Sequence, residues 1–202
     1  MISGIILAAG RSVRMGQPKL LLELQGKSLV RHVVENALSS HLDEVLVVIG
    51  NDAERVRAEI QSYPVRTVEN PLFAEGQSTS LKAGMREIRD DADAVIVLMA
   101  DQPFVGPEII DAIIDHYRDE RCSIVAPEYD GQIGAPVLFD RSLFPELLTV
   151  SGDKGGRDIV RSHREQVHVV KFDSALAAKD IDTWQEYQEI IAGKESGRTE
   201  KR

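Results

Sequence analysis

The stretch Leu7-Ala8-Ala9-Gly10-Arg11-Ser12-Val13-Arg14-Met15-Gly16-Gln17-Pro18-Lys19 concentrates residue types that bind anions. Small residues end an apolar run, and a loop with two glycines and three cations follows. Without bulky side chains, a phosphate or a flat base can approach the backbone, whose N–H groups then form an anion-binding concavity. Arg14 and Lys19 add a planar guanidinium fork and a point charge. Neither common phosphate loop is present. GxxxxGK(S/T) needs four residues between its glycines, whereas five separate Gly10 from Gly16, and GxGxxG does not occur. Composition alone leaves a plain surface loop as the alternative.

Other groups stand at positions that matter in the same way. Asp101 directly follows an apolar run; a carboxylate there caps a turn or binds a ligand, because leaving it dry is costly. Asp182 is a candidate second carboxylate for a hard cation, or the N-cap of a last helix, with Asp180 a weaker alternative. Gly76 to Ser80 opens a helical stripe, where Ser78 is either a simple cap or part of an anion-binding helix start. Asp153, Lys154, Gly155 and Arg157 lie in a glycine-rich loop before another helical stretch, which suits a phosphate. The five histidines, His32, His41, His116, His163 and His168, show no ligand spacing, and no metal is assigned to them. No Ser/His/Asp triad can be argued.

These residues need a scaffold, and the apolar pattern supplies one. Ile2–Ala9, Val45–Ile49 and Ala94–Met99 are short, β-branched-rich runs that are apolar on both faces, as central parallel strands are. Helical stripes lie between them at Val30–Leu38, Leu81–Ile88 and Ile109–Tyr117, the last opened by Pro107. Further strands are expected at Ser123–Ala126, around Pro136–Phe139 and at Val167–Phe172. A last helix is expected from Thr183 to Ile191, stopping at Gly193. This alternation predicts a doubly wound, mainly parallel α/β sheet in three layers, Rossmann-like, with one domain over residues 1–192 and a polar, disordered tail over 193–202. Ligands in such sheets bind beyond the carboxyl ends of the strands. That selects the loop starts Ala8-Ala9-Gly10, Gly50-Asn51-Asp52 and Ala100-Asp101-Gln102.

Composition sets limits. With 24 Lys+Arg against 33 Asp+Glu the chain carries a net charge of -9 over 202 residues, a poor match for nucleic acid or an anionic membrane. A compact anion held in a local basic pocket is still compatible. The single cysteine, Cys122, excludes an intramolecular disulfide and a thiolate zinc cluster, and reads as a small buried hydrophobe. No run reaches membrane-spanning length, and the expected location is the cytoplasm.

LAAGRSVRMGQPK resembles LAAGxSxRMGxxK, the signature of the MobA-like nucleotidyltransferases, and within them the molybdenum cofactor cytidylyltransferase branch. Asn70-Pro71 with Gly76 and Ser80-Leu81 is similar to the family's NPxxxxGxxxSL segment, and Asp101-Gln102-Pro103 to its DxP segment. Gly134-Ala135-Pro136-Val137 resembles its GxPV element, Gly152 to Arg157 its GDxGxR loop, and Asp180 to Thr183 its DIDT element. Trp184 stands where a proline is usual. The resemblance implies a Mg²⁺-dependent transfer of a cytidylyl group from CTP to molybdopterin, releasing pyrophosphate. It implies nucleotide contacts from Leu7, Ala8, Ala9, Gly10, Arg11, Ser12, Gly76, Ser78 and Ser80. Arg14, Lys19 and Asp101 would be catalytic, and Asp101 and Asp182 would hold the metal. Gly134, Pro136, Asp153, Lys154, Gly155 and Arg157 would bind the acceptor. Guanylyl-transferring members resemble LAGG, so the methyl of Ala9 points to CTP. GTP, another phosphorylated acceptor, or a cofactor-holding chaperone serving a molybdoenzyme are the alternatives.

Overall fold

The computed structural model describes residues 1–11, 15–173, 176–177 and 179–199, without the side chains of residue 154 and of residues 193–199. Its strands are β1 (Ile2–Ala8), β2 (Glu23–Leu24), β3 (Lys27–Ser28), β4 (Glu44–Ile49), β5 (Arg66–Glu69), β6 (Ala94–Met99), β7 (Ile124–Tyr129), β8 (Gln132–Ile133), β9 (Val137–Asp140) and β10 (Val167–Phe172). Its α-helices are α1 (Leu29–Leu38), α2 (Ala53–Ile60), α3 (Gln77–Met85), α4 (Pro107–Glu120), α5 (Phe144–Leu147), α6 (Gly156–Ser162) and α7 (Trp184–Thr199).

The main sheet has the order β10-β7-β9-β6-β1-β4-β5, with β8 beside β7, while β2 and β3 form a separate hairpin. β1 pairs in parallel with both β4 and β6, and β10 with β7. β9 runs antiparallel between β6 and β7. The mainly parallel, doubly wound sheet is therefore present, with β9 and the short β8 reversed, which apolar patterning alone does not mark.

Side chains alternate across a strand, so β1 feeds two cores. Ile2, Ile6 and Ala8 pack with Val30, Val34, Ile110 and Ile114 on the α1/α4 side. Ile5, Leu7 and Ala9 pack with Leu81, Met85, Phe139 and Ile159 on the α3/α6 side. A third cluster of Leu24, Leu29, Ile181, Tyr187 and Ile190 seats α7 on the hairpin region. Burial of each such aliphatic side chain contributes ~1.5–3 kcal/mol. Pro107 sits in the first turn of α4, as its fixed φ favours.

Three expectations on element boundaries change. The helical stripe ending at Ile88 closes at Met85, with Ile88 packing from beyond the helix. The strand around Pro136 begins at Val137, after a cis Ala135–Pro136 peptide. The last helix does not stop at Gly193 but runs to Thr199, so the polar tail over 193–202 is helical as far as it is described. One interior glycine costs ~1 kcal/mol against alanine, and with helix formers Lys194 and Glu195 following it does not end a helix by itself.

Candidate active site

The carboxyl ends of β1 and β6 lie side by side, and the loops leaving them open onto one cleft of about 260 Å³. Leu7, Ala9, Gly10 and Arg11 line one wall and Gly76 and Ser80 another, with Lys19, Asp101 and Asp153 also on the lining. The guanidinium of Arg11 stands 5.6 Å from the ring centre of Phe73, a cation–π contact that roofs the cleft beside Gly10. Phe73 and Gln77 are lining residues that sequence reasoning missed. They occupy variable positions of the segment between Asn70 and Ser80, where no residue type is distinctive.

The expected loop starts divide by role. Those after β1 and β6 line the cleft, whereas Gly50 supports it from behind. A Cβ on Gly50 would lie 2.8 Å from the Phe73 Cβ and 2.9 Å from the Ala9 Cβ. That close approach fixes the Ala9 methyl against the cleft floor. Ala8 points to the opposite core, as strand alternation requires, leaving only its backbone on the site side.

Asn70 organises the second wall. It is buried, its Nδ2 donates to Thr79 Oγ1 at 2.9 Å and to Ser80 Oγ at 3.0 Å, and its Oδ1 accepts from Leu72 N–H at 3.0 Å. α3 starts on Gly76 with φ 113°, and no side chain caps it. Ser78 is buried and lines no cleft, so the cap reading of Ser78 is not met.

The charged centre is a three-residue bridge. Lys19 Nζ donates to Asp101 Oδ2 and to Asp182 Oδ1, both at 2.7 Å. Burial opposes the charge on Lys19, but the two carboxylates outweigh it and hold the ammonium above its ordinary range. Asp101 Oδ1 is buried with no hydrogen-bond partner among the described residues. The backbone brings the two acids together, since Ile181 N–H donates to the Asp101 carbonyl at 3.2 Å. Asp180 lies alongside, accepting from Gln102 Nε2 at 2.6 Å. Its pKa is raised by burial first and then by the Asp101 charge, despite the Gln102 bond.

Asp182 does not cap α7. Thr183 does, since its Oγ1 accepts from Glu186 N–H at 3.2 Å while the Glu186 carboxylate accepts from Thr183 N–H at 2.7 Å. Glu186 also accepts from Asp182 N–H at 3.0 Å, so this capping box fixes the backbone that aims Asp182 at Lys19. Thr183→Ala should cost about 1 kcal/mol of stability and should also weaken divalent-cation binding. Thermal melts with and without Mn²⁺ check both.

A second, wider groove adjoins the first, lined by Gln102, Tyr129, Gly134, Arg157, Arg161 and Asp180 among others. It brings Gly134 and Arg157 together as expected. The buried Pro136 lies behind it, with Ala135 and Val137 on its wall. Asp153 reaches the first cleft instead, and Gly155 packs on Gln77, so the loop at 152–155 stands between the two spaces. Arg161 and Arg164 were not singled out from sequence. With Arg157 they recur at helical spacing, and all three face the groove. Ser12 and Arg14 lie outside the described residues, as does the side chain of Lys154.

A cleft at the carboxyl ends of a parallel sheet, carrying a cation against a carboxylate pair, places the molecule among the α/β nucleotide-binding enzymes. The chain belongs to the MobA-like NTP transferase family, whose domain matches residues 4–167. It is 31% identical to the purine catabolism protein PucB of Bacillus subtilis, over 93% of this chain and 94% of that one. It is 30% identical to the nicotine blue oxidoreductase of Paenarthrobacter nicotinovorans, over 94% of this chain and 96% of that one. A "Probable molybdenum cofactor guanylyltransferase" of Natranaerobius thermophilus shares 30% identity over 64% of this chain and 62% of its own length. Among solved structures, Rv0371c of Mycobacterium tuberculosis superposes with a TM-score of 0.84 at 30% identity, covering 95% of this chain and 97% of that one. The same protein in complex with manganese gives a TM-score of 0.80 at 28% identity, covering 95% of this chain and 98% of that one. Among the described residues, no helix is long and apolar enough to cross a membrane.

Proposed function

We propose that this nucleotidyltransferase moves a cytidylyl group from CTP to molybdopterin carrying molybdenum, releasing pyrophosphate and forming the cytosine dinucleotide form of the cofactor. The observation that carries the reading is the cleft that gathers Ala9, Gly10 and Arg11 opposite the Lys19–Asp101–Asp182 bridge. A terminal phosphate oxygen of the acceptor attacks the α-phosphorus of CTP as the bond to the pyrophosphate oxygen breaks. That nucleophile is already an anion, so the protein supplies position and positive charge, not a general base.

The backbone at Ala8, Ala9 and Gly10 holds the base and ribose, with Ser12, Gly76 and Ser80 completing that side, while the buried Ser78 stands behind them. Arg14 and Lys19 neutralise the triphosphate and the departing pyrophosphate. Gly134, Lys154 and Arg157 orient the acceptor, Pro136 and Gly155 shape the backbone behind them, and Asp153 faces the nucleotide cleft. The unpartnered Asp101 Oδ1 and the nearby Asp182 carboxylate are hard oxygen donors that fit Mg²⁺. When bound, Mg²⁺ supplies Lewis acidity at phosphate oxygens. The manganese complex of Rv0371c supports a divalent cation in this fold. The reading places the protein in the cytoplasm, handing its product to a molybdoenzyme.

The choice of CTP rests on Ala9. Its methyl is held close to Gly50 and Phe73 on the cleft lining, where it takes space from a larger base. The guanylyltransferase relative favours GTP as the second reading. With Mg²⁺ and molybdopterin, pyrophosphate release should be at least ~10-fold faster from CTP than from GTP, the effect of ~1.4 kcal/mol of discrimination. A GTP preference would overturn the Ala9 argument. If no nucleotide releases pyrophosphate but a nicotinamide cofactor is turned over, the activity belongs with the oxidoreductase relative.

A further inference from the structure

The opposite end of the sheet carries a group of side chains that the transfer reaction does not use. α4 ends on Arg121, which adopts a left-handed conformation with φ 52° while its N–H donates to the Tyr117 carbonyl. That turn sends the chain back along the helix and delivers Cys122 beside His116. β10 joins from the other side, its parallel register setting His168 against Val125, three residues beyond Cys122. Among the described residues, His116, Cys122 and His168 are the only group of three or more His, Cys, Asp or Glu whose donor atoms close up, all within 4.8 Å of one another.

We propose that His116, Cys122 and His168 form a binding site for a zinc-like transition-metal ion, separate from the carboxylate pair of the cleft. The spacing is suitable before any rearrangement. Two imidazole nitrogens at ~2.0–2.1 Å from one tetrahedral zinc stand about 3.3–3.4 Å apart. His116 Nε2 and His168 Nδ1 stand 3.3 Å apart, with ring centres 5.5 Å apart and planes tilted by 57°. The Cys122 sulfur, within 4.8 Å of both nitrogens, needs to close by at most about 1.3 Å to reach the ~3.5 Å nitrogen–sulfur separation of the same geometry.

Two imidazoles and a thiolate are borderline-to-soft donors. They select zinc and its neighbours over Mg²⁺ or Ca²⁺, which prefer oxygen. Three protein ligands leave a fourth position for water. Cys122 is 8% exposed, and burial pushes its thiol up from the ordinary range. The ion on binding displaces the thiol proton to solvent. The ion would tie the C-terminal part of α4 to the loop two residues before β7 and to edge strand β10. An ion that binds the folded chain alone stabilises it by mass action.

Sequence spacing does not reveal this site, because five residues separate His116 from Cys122 and His168 comes from a distant strand. Only the αL turn and the β7–β10 pairing bring the three together.

The test uses the full chain stripped of metal with chelator and titrated with Co²⁺ and Zn²⁺. One equivalent of Co²⁺ should produce a sulfur-to-cobalt charge-transfer absorption. That band should vanish in Cys122→Ala, survive Asp101→Ala, and require at least ten times more Co²⁺ in His116→Ala and His168→Ala. Zinc at a hundred times its Kd should raise Tm by about 5–10 °C in the unaltered chain and not in His168→Ala, with pyrophosphate release the same in both. His168 is at the surface, so its replacement leaves the apo fold intact. No charge-transfer band in the unaltered chain, or equal Co²⁺ affinity in the histidine variants, would overturn the site. In that case the 3.3 Å contact is a hydrogen bond between two rings and nothing more.

Discussion

Lys19→Met is expected to raise affinity for Mn²⁺ at least tenfold while lowering nucleotidyl transfer by ~10²–10³-fold. In the empty protein the ammonium bridges Asp101 and Asp182 at 2.7 Å each, so the two carboxylates already share one cation. A divalent ion must take those oxygens from Lys19. The ion must break both charge-assisted contacts of the ammonium to reach the two carboxylates. Once displaced, its positive charge is free to meet the triphosphate. Methionine keeps the length of the side chain and removes both the competitor and the charge.

The apo variant should also lose stability, since removing one partner of a buried pair costs ~3–5 kcal/mol. Side-chain exposures of 16% for Asp101 and 39% for Asp182 put this case below that range. Mn²⁺ should restore most of the loss. Electron paramagnetic resonance of free Mn²⁺, melts, and pyrophosphate release separate the three effects. Unchanged Mn²⁺ affinity would show that Lys19 does not guard the carboxylates.

Gly76→Ala is the second large effect. Gly76 has φ 113° and ψ 165°, a conformation that residues with a Cβ avoid. An added Cβ would lie 2.6 Å from Asp153 Oδ1 and 2.8 Å from the Gly152 carbonyl oxygen. The side-chain oxygen can move, but the carbonyl belongs to backbone and the loop must shift with it. Strain of this kind costs ~1–3 kcal/mol, and the displaced loop opens the mouth of the cleft. Melts should show that loss, and CTP binding by calorimetry should weaken at least tenfold. Gly26→Ala is the control. Its φ of 83° gives backbone strain, but nothing lies within 4 Å of its added Cβ. It should lose stability without losing CTP affinity.

Much of the scaffold was legible because its strands are apolar on both faces. β1, β4 and β6 stand out for that reason, and so does the amphipathic α4 behind Pro107. β5 was not marked, because Arg66-Thr67-Val68-Glu69 is a half-exposed edge strand with one apolar residue. α2 is short and mainly charged, burying only Val56 and Ile60. The reversed direction of β9 left no trace in its composition, since strand direction is a property of connection and pairing.

Within the site, the Gly10 loop, Lys19 and Asp101 were readable from their types and places. The partnership of Lys19 with both acids was not, because charge on a side chain does not say whether it faces a ligand or a neighbour. Asp182 was singled out as a carboxylate and stands with Asp101 on Lys19, whereas the cap reading failed because Thr183 has the better register for a capping box. The groove arginines beyond Arg157 escaped notice, Arg161 as an ordinary member of a charged helix and Arg164 in the turn that follows it.

The Lys19–Asp182 contact joins residues 163 apart in the chain. Synthesis runs from the amino terminus and early segments fold first. The nucleotide loop after β1 is therefore made long before the acid that completes its cation bridge. A nascent sheet can assemble β1, β4, β5 and β6 while Asp101 and Lys19 still lack their third member. The three-membered bridge is thus complete only once α7 docks, which makes the last helix a checkpoint on assembly: a chain stalled before it carries two of the three charged members.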